Sequence, residues 1–451
     1  MKSSRRLKNS IGENRLTHEL TGADLPHIVV EPPGPHSRAL AKELRAVESR
    51  NVTYVAPDWP VFLARGAGAN LEDVDGNRYI DVSAAFAVAA VGHSNPRVVA
   101  AISGQAGILL HAMGDVHPSE LKVALARELC ALTPGDAEKR VLFGVSGADA
   151  VEAALKTAAV ATERPGVICF EGAYHGLGYG ALEVTDRDHF RRPFAGQLGG
   201  FSHRLPYPTV SNASESLASV ERLLAGDQNQ RIGALIVEPV QGRGGVREAP
   251  LDWLRSVRRL CSAYGAILIA DEIYSGFGRT GRWFACDHAG IAPDLICVGK
   301  GMASGFPISA CVGRADVMDR WPESDGEAIH TSTFLGHPTG CAAALASIAE
   351  LRDRRLVERA ASAETLVREL LEGLCRSKPV NVSGFRGRGL MWGVQCASAA
   401  VAANAVTGAL RRGVIALPCG TKSDVIALSP PLVISDEQLR VAIGKLAESI
   451  A

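Results

Sequence analysis

Lysine is scarce in this chain, with ten against thirty-eight arginines in 451 residues. No apolar run approaches the roughly 18 residues that a membrane span requires, so no membrane partner is expected. The formal net charge is zero, which lacks the signature of a nucleic-acid groove or an acidic membrane surface. The ten cysteines include no CxxC pair, and Cys169, Cys297 and Cys311 lie inside apolar segments. That argues against a disulfide framework and for free thiols in a reducing cytoplasm. The twelve histidines show neither HxxxH nor HExxH spacing, so no metal site is expected. The stretch Met1 to Leu20 mixes Lys2, Arg5, Arg6 and Lys8 with Glu13 and Glu19 and has no apolar centre. It reads as a solvated tail, not as a signal or transit peptide.

What is present is a large apolar fraction, 47%, on a chain long enough for two or three structural units. Residues 61–82 read as a hairpin, with alternating runs around Phe62 and Tyr79 and a turn at Asp75-Gly76-Asn77. From about 85 to 345, short apolar strands alternate with helical patterns. The expected strands are 141–145, 166–170, 232–237, 266–270, 295–298 and 308–312; the expected helices include 150–161, 251–263 and 340–352. Unbroken apolar strands separated by helices predict a mostly parallel sheet covered on both faces. After 352 the composition turns Arg/Glu-rich and helical, then strand-like at 389–394 and 425–428. The chain is therefore divided into 1–84, 85–345 and 346–451, the last a smaller C-terminal domain.

Lys300 ends the apolar run Leu295-Ile-Cys-Val-Gly and is followed by Gly301. A lysine at the end of a buried strand is costly unless its amine has a partner or a reaction. Desolvation lowers its pKa and leaves neutral amine able to attack an aldehyde; a lysine snorkelling from the strand end is the competing reading. Asp271-Glu272 follow the strand 266–270, and in a parallel sheet ligands sit at the carboxyl ends of strands. A carboxylate there keeps a pyridine nitrogen protonated, whereas an ordinary loop acid would also fit the pattern. Ser146-Gly147-Ala148 form a small-residue turn before a helix, either a plain capped turn or a phosphate cradle. Tyr174 offers a face for a flat ring, with ordinary packing as the alternative; His175 reads as a satisfied structural histidine. The run Gly276-Phe-Gly-Arg-Thr-Gly281 matches GxGxxG, but no helical pattern follows, so a dinucleotide site is rejected.

Together these segments resemble the class III pyridoxal-phosphate aminotransferases of fold type I, a group that includes 4-aminobutyrate, ornithine and acetylornithine aminotransferases. The resemblance runs from about Pro33 to Asp436. It rests on Asp73-Val-Asp-Gly-Asn77, Gly92-His93, Ser146 to Lys156, Tyr174-His-Gly176, Glu238-Pro-Val-Gln-Gly242, Asp271-Glu-Ile273, Gly276 to Gly281, Gly299-Lys-Gly301, Ser332 to Pro338 and Arg386 to Leu390. It implies pyridoxal 5'-phosphate as cofactor, an α/β fold, and a smaller α+β domain built from the two chain ends. Carried over by residue, Lys300 forms the Schiff base and Asp271 pairs with the pyridine nitrogen. Ser146, Gly147 and Ala148 hold the phosphate, Tyr174 stacks on the ring, and Thr333 reaches the phosphate of a neighbouring subunit in a homodimer. Phe86, Glu238, Arg243 and Arg386 fall in the substrate pocket, Arg386 at the arginine that holds a substrate carboxylate.

Two positions depart from the family pattern. Arg243 stands where ornithine-type and 4-aminobutyrate-type members commonly carry a glutamate and racemases an aspartate. Tyr274 stands where a glutamine is frequent near the ring hydroxyl. The expected activity is ping-pong transamination between a small-molecule amino donor and a keto or aldehyde acceptor; the alternative on the same fold is an isomerase, either racemase/epimerase or aminomutase.

Overall fold

The computed structural model describes residues 19–226 and 232–450. The tail expected over the first twenty residues lies almost wholly outside the described residues. A seven-stranded sheet organises the chain. Its strands are β1 (Lys139–Gly144), β2 (Gly166–Phe170), β3 (Ser202–Leu205), β4 (Ile232–Val237), β5 (Ile267–Asp271), β6 (Leu295–Val298) and β7 (Ser309–Arg314). Their order is β1-β7-β6-β5-β4-β2-β3. The run β6-β5-β4-β2-β3 is parallel, and β7 is antiparallel to both β6 and β1.

The central strands are apolar on both faces because helices cover both. Ile267 and Ile269 of β5 pack with Ala150, Val151 and Ala154 of helix α1 (Gly147–Thr162). Leu268 and Ala270 point the other way, into a core shared with Trp253 of α2 (Leu251–Ala263) and Leu351 of α3 (Pro338–Asp353). Full burial of each such aliphatic side chain contributes about 1.5–3 kcal/mol. The edge strand β3, Ser-His-Arg-Leu, gave no strand pattern in the sequence because its burial is only partial along its length. Edge strands carry polar residues, which hides their periodicity.

The segment expected as a single hairpin is a three-stranded meander, Leu63–Ala67, Asn70–Asp73 and Arg78–Asp81, with Asp75-Gly76-Asn77 at the second turn. Asn77 donates to Asp73 twice, from its backbone N–H to Oδ1 and from Nδ2 to Oδ2, and Tyr79 donates to Asp73 Oδ2 at 2.6 Å. The late strand Val414–Ile415 joins this meander in parallel, so the two ends of the chain share one sheet. A separate sheet, Val382–Arg388, Met391–Cys396, Val425–Leu428 and Leu417–Cys419, carries the C-terminal strands; the strand expected at 389–394 lies two residues later, and Val382–Arg388 and Leu417–Cys419 are additional.

All ten cysteines are free. Among the described residues no cluster of metal-ligating side chains occurs, and no helix is long and apolar enough to cross a membrane. The Gly276–Gly281 loop leads into an irregular stretch and a short 3-10 turn, Ala285–Ala289, so no helix follows it. Its Arg279 is buried and donates to the carbonyls of Leu390 and Pro430, tying the loop to the C-terminal part of the chain.

Candidate active site

Loops at the carboxyl ends of β1, β2, β4, β5 and β6 converge on one place, as expected of a parallel sheet. At β1, Ser146 caps α1 with a reciprocal capping box: its hydroxyl accepts from Asp149 N–H, and Asp149 accepts from Ser146 N–H at 2.9 Å. The box leaves the Gly147 and Ala148 amides without an intrahelical acceptor, facing out from the positive end of a sixteen-residue helix. Gly147 lies against Ile273, where a Cβ would meet that side chain at 3.0 Å. The short side chain is therefore needed where the helix start approaches the loop after Asp271.

Asp271 ends β5 and is almost fully buried. Its Oδ1 accepts from Ile273 N–H at 3.0 Å, and its Oδ2 from His175 Nδ1 at 2.7 Å. His175, read from sequence as merely structural, is thus the partner of this carboxylate, and its Nε2 is buried with no partner. Nothing in the sequence ties His175 to Asp271, because their strands are separated by β4 and only the sheet order brings them together.

Lys300 follows β6 in a left-handed backbone with φ +41°, an unfavourable state for a residue with a side chain. Its amine lies 4.8 Å from the centroid of the Tyr274 ring. Burial pulls its pKa below the ordinary lysine value, while Asp271 and Glu238 oppose that shift and Arg243 adds to it. A lysine so placed gives up its proton more readily than a solvated one, which favours the uncharged, nucleophilic amine.

Tyr174 sits on the loop after β2, fixed by its N–H donating to Glu238 Oε1 at 3.0 Å. The other oxygen of Glu238 accepts from Gly242 N–H at 3.1 Å, and burial raises its pKa to about 7. Glu238 therefore braces the Tyr174 loop from inside and is not part of the wall of the cleft beside it. Tyr274 does line that pocket, and its hydroxyl donates to Ser429 Oγ at 3.3 Å.

The pocket is a narrow cleft whose wall includes Ser83, Phe86, Arg243, Tyr274, Cys419 and Ala427. Phe86 belongs to Ala84–Ala87, four consecutive residues with φ between +47° and +65°, one left-handed turn that holds its ring half-exposed in the cleft. Each such residue costs about 1–2 kcal/mol, and strain of this kind persists where a site over-determines it. Arg243 points inward: its guanidinium carbon is 4.6 Å from the Tyr174 ring centroid, 5.7 Å from Phe190 and 6.0 Å from Phe86.

Arg386, near Cys419 of the cleft wall, is held by neighbours in its own chain. Its Nε donates to Gly245 O at 2.8 Å and its two terminal nitrogens to Gln395 Oε1 at 3.2 and 3.3 Å, and it is absent from the pocket wall. Thr333 is exposed in the stretch before α3 and makes no hydrogen bond with the residues above. Phe190 and Arg187, which complete the aromatic and cationic surroundings of Arg243, carried no signal in the sequence.

Comparison with known proteins agrees with this geometry. The family model "Aminotransferase class-III" matches residues 53–450. The chain is 38% identical to a 4-aminobutyrate aminotransferase of Mycobacterium leprae over 434 residues, covering 91% of this chain and 95% of the relative. It is 38% identical to an acetylornithine aminotransferase of Methanopyrus kandleri, covering 87% and 95%. An amine transaminase from an uncultivated Pseudomonas species, solved in its PLP-bound form, superposes with a TM-score of 0.82 at 30% identity, covering 89% of this chain and 98% of that one.

Proposed function

The chain belongs to the class III aminotransferases, pyridoxal-phosphate-dependent enzymes that pass an amino group from a small-molecule donor to a carbonyl acceptor, and from that premise we propose how its own residues do so. The donor set fits the cofactor: free amides at the start of α1 for a phosphate, an aromatic face at Tyr174, and a buried carboxylate at Asp271. Bound pyridoxal phosphate supplies an aldehyde that links reversibly to amines and a ring that drains charge from the reacting carbon.

Lys300 is the residue to which the cofactor attaches, and its released Nζ takes a proton from the donor's amine-bearing carbon and returns it on the other side of the exchange. Asp271, fixed by His175, keeps the ring nitrogen protonated. Ser146 orders the phosphate turn through its capping box, and the Gly147 and Ala148 amides hold the phosphate. Tyr174 covers the ring, and Tyr274 stands beside the amine and walls the pocket with Phe86. The observation that carries the reading is the desolvated amine of Lys300 on a strained backbone, within the electrostatic reach of Asp271.

Arg243 reads the substrate. It faces into the cleft from among three aromatic rings with no carboxylate beside it, which favours substrates that bring one. A glutamate at this place would repel acids, so Arg243→Glu should move selectivity from amino acids toward diamines. The test is kcat/KM for an amino acid and for a diamine in both proteins. A drop in their ratio of about tenfold or more supports the reading; an unchanged ratio removes Arg243 from substrate recognition.

The same reading makes the protein a cytoplasmic homodimer with sites at the interface. An exposed apolar patch, Ile108, Leu110, Met113, Val116, Ile329 and Phe334, supports it. Its two segments pack together, with Thr331 donating to Asp115 at 2.7 Å and His111 and Phe334 ring centroids 5.4 Å apart. Thr333 lies on this patch, available to a second copy. The division into 1–84, 85–345 and 346–451 goes with it, the outer parts joined through Val414–Ile415.

A further inference from the structure

We infer that Arg187, beside the cleft, is a second specificity-determining residue, gripping a substrate carboxylate together with Arg243 next to Phe190. The inference rests on the reading of Arg243 given above. The two guanidinium carbons lie 5.4 and 5.7 Å from the same ring centroid. One arginine on an aromatic ring is ordinary packing. Two on one ring are like charges in a half-buried place, which repel unless an anion joins them.

Among the described residues no acid is ion-paired or hydrogen-bonded to either arginine. Neither side chain makes an ion pair or a hydrogen bond there. The nearest candidate, Asp186, is engaged by Arg204 Nε at 3.3 Å and by Gly172 N–H at 2.7 Å. Burial lowers the pKa of Arg187 and the charge on Arg243 lowers it further, while Asp186, itself held by Arg204 and Gly172, opposes the shift. The positive field converges on the cleft: Arg386, Arg243 and Arg187 all act on the thiol of Cys419, which lines it. Arg187 also has an unusual backbone, φ +54° and ψ 108°, unfavourable for a residue with a side chain. Strain of this kind tends to persist at ligand clamps. A carboxylate has two oxygens and a guanidinium presents a planar fork, so two forks can share one carboxylate edge to edge.

The experiment is calorimetric binding of pentanoate and of its neutral isostere pentanamide to the holoenzyme, with no turnover involved. Wild type should bind pentanoate at least about tenfold tighter than pentanamide. Arg187→Ala should cut that preference by about tenfold with pentanamide unchanged, and Arg187→Lys should restore part of it. Thermal unfolding of both variants checks that the fold is intact, and Arg187→Lys carries the test if Arg187→Ala does not fold. Wild-type preference retained in both variants overturns the assignment of Arg187. If Arg243→Ala alone abolishes the preference, Arg187 fails while the reading of Arg243 stands. If wild type shows no preference at all, both fail.

Discussion

Asp271 and His175 share a 2.7 Å hydrogen bond, Oδ2 to Nδ1, between two side chains almost wholly withdrawn from solvent. The remaining oxygen of Asp271 accepts from the backbone of Ile273. The plane of the carboxylate is therefore set by the protein before a cofactor arrives, so it need not reorganise to meet the ring nitrogen.

If the pair acts as one unit, removing either member should cost catalysis in the same way. Hydrogen bonds to charged groups contribute about 1.5–3 kcal/mol, so His175→Leu should lower kcat by about 10- to 100-fold with cofactor absorbance retained. Asp271→Ala should cost at least about 100-fold, equal to about 2.7 kcal/mol of barrier. The double variant should lose little more than Asp271→Ala alone; fully additive losses would mean that His175 acts independently of Asp271.

The contrast between Asp271 and His175 also marks how far the sequence could be read. Asp271 and Lys300 were legible because each ends an apolar strand, and the carboxyl ends of parallel strands are where ligands bind. The turn Ser146-Gly147-Ala148 was legible because helix capping is local chemistry. His175, Phe190 and Arg187 were not, since their partners come from other strands and loops and no spacing along the chain encodes that. The antiparallel β7 read as one more apolar strand because burial on both faces erases the alternation that distinguishes strand settings. Arg386 shows the reverse limit: a motif match fixed its position along the chain but not where its guanidinium points. The structure turns it to Gly245 and Gln395, while Arg243 faces the cleft.

Glu272, next to Asp271, is a structural acid with a pH signature. It is buried and accepts from Ser275 Oγ, Ala285 N–H and Cys286 N–H, and burial raises its pKa to about 7 despite those donors. Between the ordinary glutamate value of 4.5 and about 7, the folded chain holds a proton that the unfolded chain has released. Its contribution to stability is then full below the unfolded value and is lost as pH rises through the folded one. The difference in unfolding free energy between wild type and Glu272→Gln, from urea titrations at fixed protein concentration, should shrink from pH 5 to pH 7.5. A difference that stays flat would mean the folded carboxyl is ionised throughout.

Thr333 and the patch around Phe334 predict that cofactor retention depends on assembly. Dilution to monomer should release cofactor, and Phe334→Asp should do so at concentrations where wild type holds it. Sedimentation at a series of concentrations, read at both the protein and the cofactor absorbance, follows the two events together. A monomer that keeps its cofactor and activity would remove Thr333 from the site.

The central claim, that Lys300 carries the chemistry, is tested most directly by covalent trapping. Purified protein should be yellow and lose its colour on borohydride treatment, fixing the cofactor to the lysine that holds it. Digestion and mass spectrometry should then place the added mass on the peptide that contains Lys300, with none in Lys300→Ala. Finding it in wild type on another lysine, such as Lys156 beside His330, would contradict the account.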